Sequence, residues 1–132
     1  MNAIDPAISP DGSLIAYATA VSNGRTRIAV ARVDGGDSPR VVTGDDDGFL
    51  DHRYPTWSPD GSFIAFSHAA SGSLDIYVMS AGGDDPIRRT DTPADETRPR
   101  WSPDNRYIAF VSDRGADARI YLIPPLAGPE RE

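Results

Sequence analysis

The sequence contains no cysteine, which excludes a disulfide framework and a thiol nucleophile and leaves the compartment open. No apolar run approaches the roughly 18 residues of a membrane-spanning helix, and the N-terminus does not read as a signal peptide. Basic charge is scarce: 13 Lys and Arg stand against 20 Asp and Glu, a formal net charge of −7. Nucleic acid is therefore disfavoured as a partner, since a phosphate-binding domain carries a basic patch. Arg25, Arg27, Arg88, Arg89, Arg98 and Arg100 are instead scattered among acids. Long uninterrupted helical stretches are lacking too, because 12 Gly and 12 Pro punctuate the 132 residues. That composition marks a turn-rich, all-β chain of single-domain length, and 39% hydrophobic residues suffice for a core.

What the chain has in abundance is repetition. Tyr54-Pro55-Thr56-Trp57-Ser58-Pro59-Asp60-Gly61-Ser62-Phe63-Ile64-Ala65-Phe66 recurs as Arg98-Pro99-Arg100-Trp101-Ser102-Pro103-Asp104-Asn105-Arg106-Tyr107-Ile108-Ala109-Phe110. A weaker copy stands upstream, from Asp5-Pro6-Ala7-Ile8-Ser9-Pro10-Asp11-Gly12 to Ile15-Ala16-Tyr17. A period between 40 and 50 residues, built of short strands and tight turns, is the signature of a β-propeller blade. The repeats divide the chain at about 1–46, 47–93 and 94–132.

Each Ser-Pro-Asp-Gly core is a turn with a mechanism. Pro presets φ at the second position, and Gly tolerates a positive φ at the last. Asn105 replaces Gly in the third copy and is the other residue that adopts a left-handed conformation at low cost. The expected role of Asp11, Asp60 and Asp104 is to stabilise these turns. The strands that follow, such as Phe63 to Phe66 and Tyr107 to Val111, are apolar on consecutive positions. That pattern suits a sheet covered on both faces, as a blade is by its neighbours.

Trp-Ser-Pro-Asp-Gly with Ile-Ala-Phe, then Asp75-Ile76-Tyr77-Val78-Met79, then Gly82-Gly83 before a short strand ending in Thr90, resembles the TolB-type β-propeller repeat. Repeat 1 departs from it, with Ile8 in place of Trp and Ala29 in place of Tyr77 and Tyr121. Members of that family are commonly six-bladed. They occur as the periplasmic protein of the Tol system, as sensor segments of bacterial kinases and regulators, and as non-catalytic propellers of prolyl-oligopeptidase-like enzymes. The resemblance implies a bacterial, extracytoplasmic propeller segment, half of a six-bladed ring.

Three blades alone form an open arc with two apolar end faces, whereas open arrays need polar caps. Repeat 1 offers Ile15 and Tyr17 there. The expectation is that two chains associate as a homodimer to close the ring, and that the ring binds a protein, peptide or small ligand without catalysis. The alternatives are an accessory propeller of a hydrolase, and an excised or designed fragment.

For catalysis the residues offer little. Ser9, Ser58 and Ser102 lie in turns without a Gly-x-Ser-x-Gly elbow. His52 and His68 lack a matching partner, and His68 reads as a packed strand residue. Neither a cofactor nor a metal is implied: the acidic stretch Asp45-Asp46-Asp47 lacks the spacing of a calcium loop. The candidate ligand rim is the set of inter-repeat links. There Asp51 aligns with Asp95 and His52 with Glu96, and Arg98 follows.

Overall fold

The computed structural model describes residues 2–21, 24–43, 51–69, 72–83 and 86–132. These residues form three antiparallel sheets and no helix. Sheet one has the order β1 (Ala3–Ile8), β2 (Leu14–Ala20), β3 (Thr26–Arg32), β4 (Arg40–Val41). Sheet two repeats it with β5 (His52–Trp57), β6 (Phe63–His68), β7 (Asp75–Ser80) and β8 (Ile87–Arg88). Sheet three has β9 (Glu96–Trp101), β10 (Ile108–Ser112) and β11 (Arg119–Ile123). Its fourth strand is reduced to one bridge, in which Leu122 and Arg131 exchange backbone bonds of 2.7 and 2.8 Å. The inner strands β5 and β9 start at His52 and Glu96, inside stretches whose composition reads as acidic links.

Each sheet is a simple meander, and the first strand of each later sheet lies across the sheet before it: β5 against β1, β2 and β3, and β9 against β5, β6 and β7. The three sheets thus stack face to face in chain order, as blades do.

The middle blade shows why its strands carry apolar residues on consecutive positions. Ile64, Phe66 and Met79 pack toward blade one with Ala16, Ala18, Ile28 and Val30. Ala65, Ile76 and Val78 pack toward blade three with Ile108, Phe110 and Ile123. Successive strand residues point to opposite faces, and here both faces are core. Each fully buried Ile or Phe contributes about 1.5–3 kcal/mol of transfer free energy.

Polar groups fix the angle between blades. The Trp57 indole Nε1–H donates to the Ala7 carbonyl at 2.9 Å, and that of Trp101 to the Thr56 carbonyl at 3.1 Å. These are equivalent bonds, one per joint. Within their own blades, Thr43 and Thr90, just past the outer strands, accept through Oγ1 from the buried Ile28 and Ile76 amides at 3.0 and 2.8 Å. Gly83 marks a close approach: with φ at +89°, a Cβ there would stand 2.6 Å from the Val42 carbonyl oxygen of blade one.

The three turns are nearly superposable. Asp11 Oδ1 accepts from Ser9 Oγ at 2.7 Å and from the Ser13 amide at 2.9 Å. Asp60 repeats this with Ser58 and Ser62, and Asp104 with Ser102 and Arg106. Gly12, Gly61 and Asn105 close them at φ of 76°, 74° and 63°.

Candidate ligand groove at the inner strands

Each inner strand carries the same irregularity. Pairing slips between Ile4 and Ala7, between Arg53 and Thr56, and on β10 between Ala109 and Val111. The residue before proline in each bulge has a left-handed backbone: Asp5 at φ 55°, Tyr54 at 56° and Arg98 at 53°. A residue before proline is normally pushed to extended conformations, and φ > 0 is a genuine outlier for a bulky side chain such as Tyr. Bulges of this kind re-aim a side chain and end regular pairing. The prolines also remove one amide each from the free edge of the inner strand.

The three bulges converge on one groove of about 280 Å³, lined by Asp5, Pro6, Tyr54, Pro55, Arg98 and Arg100. Each blade contributes to it. Arg53 Nε bonds Asp5 Oδ2 at 2.6 Å, which holds the Arg53 guanidinium charged by raising its pKa. The Tyr54 amide reaches the same carboxylate oxygen at 3.4 Å. The Arg53 and Arg98 guanidiniums stand 4.7 and 5.9 Å from the centre of the Tyr54 ring, the range of cation–π attraction. Arg100 donates to the Pro99 carbonyl at 3.0 Å.

Of the rim residues expected from the sequence, only Arg98 lines this groove. Asp51 and Asp95 are indeed equivalent, but both reach into the preceding blade. Asp51 Oδ1 accepts from the Thr26 amide at 3.1 Å, and Asp95 Oδ1 from the Leu74 amide at 2.9 Å. His52 is buried, with Nδ1 3.3 Å from the Thr26 carbonyl and its ring stacked 4.0 Å from that of His68. Glu96 is fully buried. It accepts through Oε1 from Thr92 at 2.6 Å, Ser112 at 3.0 Å and Arg114 at 3.0 Å. Asp45, Asp46 and Asp47 lie outside the described residues.

Asp11, Asp60 and Asp104 are engaged in their turns. The Ser9 hydroxyl, ahead of the Ser13 amide, lowers the Asp11 pKa to about 2. Asp60 and Asp104 are lowered for the same reason. Ser9, Ser58 and Ser102 donate their hydroxyl protons to these carboxylates within the turns. Among the described residues no group of three His, Asp or Glu could hold a metal.

Sequence reasoning missed Asp5, Tyr54 and Arg100. The signal was the aligned X-Pro step in all three copies, at 5–6, 54–55 and 98–99, obscured because X is an acid, an aromatic and a base in turn.

The arrangement of strands is that of known propellers. The putative TolB structure from Agrobacterium tumefaciens matches with a TM-score of 0.85 at 23% identity, over 99% of this chain and 48% of that one. TolB from Acinetobacter baumannii matches with a TM-score of 0.75 at 23% identity, over 96% of this chain and 31% of that one. A puromycin hydrolase structure matches with a TM-score of 0.69 at 21% identity, over 91% of this chain and 20% of that one. The chain thus spans about half of the first of these structures and about a third of the second. No curated protein sequence matches the chain. The family model for the TolB β-propeller domain matches residues 1–130, and the chain belongs to that family.

Proposed function

We propose that this chain is a non-catalytic propeller module that pairs with a second copy, by twofold symmetry, to form a six-bladed ring binding a protein or peptide at its inner strands. The observation that carries the pairing is the state of the two end faces. Ile8, on blade one, is 63% exposed, and Ile120, on blade three, is 56% exposed. Val41, on blade one, is half exposed as well. Faces of this type are buried core at both internal joints, and apolar sheet faces left in water favour association. Two arcs joined end to end would cover all four faces and leave no open end.

An end-face charge tests the reading. Ile120→Asp should lower the apparent mass of the protein on a sizing column from that of a pair to that of a monomer. A pair that persists in this variant, and equally in Ile8→Asp, would place the association elsewhere.

The resemblance to part of a puromycin hydrolase supports a second reading, an accessory propeller that gates substrate for a catalytic domain. The parent gene discriminates: an α/β-hydrolase sequence after position 132 would favour it.

A further inference from the structure

The groove has a charge opposite to that of the protein. The chain is acidic by seven charges, and all 13 of its basic residues are arginine. Among the described residues five of these guanidiniums are held by carboxylates. Arg53 is held by Asp5, Arg88 by Asp75, Arg114 by Glu96 and Glu130, Arg32 by Asp34, and Arg119 by Glu132. Arg98 and Arg100 are the exceptions inside the groove. Both are exposed, and neither forms an ion pair within the described residues. Arg98 has the Tyr54 ring at 5.9 Å, and Arg100 has only the neighbouring Pro99 carbonyl. The one carboxylate in the groove, Asp5, is neutralised by Arg53.

We infer that this groove binds the carboxylate of a peptide, clamped by Arg98 and Arg100 over the Tyr54 ring. The inference rests on the reading of the inner strands as a ligand surface. Three physical arguments support it. Arginine presents a planar fork of donors that matches a carboxylate in two parallel bonds. The walls, Pro6, Pro55 and Tyr54, are apolar and rigid, as suits a peptide backbone rather than a free ion. A carboxylate carries one charge, so the surrounding acidic surface opposes it less than it opposes a phosphate. Strand addition is disfavoured as the binding mode, because proline interrupts each inner edge. The ligand is therefore read by side chains.

The test is a titration of the 15N-labelled protein, following the arginine Nε–H signals. The probes are acetyl-Ala-Pro-Glu with a free C-terminus, the same peptide amidated, acetyl-Ala-Pro-Gln amide, and inorganic phosphate. The two peptides carrying a carboxylate should shift the Arg98 and Arg100 signals. The Gln amide should not. The comparison between the first two tells a C-terminal from a side-chain carboxylate. Arg98→Gln with Arg100→Gln should weaken binding roughly tenfold or more, while Arg98→Lys should weaken it less. Equal binding of the neutral peptide would overturn the carboxylate assignment and leave a peptide-binding propeller standing. Tighter binding of phosphate would overturn it in favour of a phosphate ligand. No shift with any probe would overturn the groove as an anion site, whatever the mass of the assembly.

Discussion

The Trp57 indole N–H lies 2.9 Å from the Ala7 carbonyl oxygen of the preceding blade. Trp101 and Thr56 repeat the bond at the next joint. Two residues before each Ser-Pro-Asp turn stands the acceptor, so the aligned carbonyl in blade three is that of Arg100. One residue before the turn stands the donor, and in blade one that position holds Ile8. A joint between two copies would bring Ile8 to Arg100 and lack the indole bond. It is the weaker kind of joint by construction.

Ile8→Trp should therefore strengthen the pairing of copies. One added hydrogen bond of about 1 kcal/mol corresponds to a several-fold lower dissociation constant at each joint. Dilution in the analytical ultracentrifuge reads this directly. The reciprocal change, Trp57→Phe, acts inside the chain and leaves the Ala7 carbonyl without its donor. It should cost about 1–3 kcal/mol in urea unfolding.

Acid should loosen the turns together. Asp11 is held at about 2 by its hydrogen bonds from Ser9 and Ser13, well below the ordinary 3.8. Asp60 and Asp104 are lowered alike, first by Ser58 and Ser102. A carboxylate with a depressed folded pKa stabilises the fold above its ordinary pKa and loses that contribution as pH falls toward the folded value. The urea midpoint should decline between about pH 5 and pH 2. Asp11→Asn, Asp60→Asn and Asp104→Asn together should lower the midpoint at neutral pH and flatten the decline. A triple variant with an unchanged profile would show that the turns contribute nothing to it.

Arg114 neutralises a carboxylate that water does not reach. Glu96 is fully buried, its Oε1 accepts the Arg114 guanidinium at 3.0 Å, and its Oε2 has no hydrogen-bond partner among the described residues. The Arg114 guanidinium also binds Glu130 and sits 4.0 Å from the centre of the Tyr121 ring. Arg114→Met leaves the charge uncompensated and should destabilise blade three by about 3 kcal/mol. Glu96→Gln in that background should recover part of the loss. If the two changes simply add, the ion pair is not the source of the effect.

The repeats make the blades legible in the sequence alone. Ser-Pro-Asp-Gly fixes a turn by local chemistry, and consecutive apolar residues announce a sheet covered twice. The groove was not legible for a physical reason. Tyr54 and Arg98 precede proline, where local sterics favour extended backbone. Their left-handed conformation falls where the pairing with β6 and β10 slips, a long-range feature that their chain neighbours do not announce. Asp51 and Asp95 aligned correctly, yet their partners Thr26 and Leu74 lie 25 and 21 residues away, across a joint between blades. The stacking of His52 on His68 likewise depends on the register of β5 against β6, which pairs those two residues directly.

The most direct test of the central claim is the solution mass of the unmodified chain, by light scattering on a sizing column across a range of concentrations. The account predicts a species near twice the 14.2 kDa chain mass that dissociates on dilution, because its joints lack the indole bond. A monomer persisting at the highest concentration would contradict it, since the faces bearing Ile8 and Ile120 would then be stable in water.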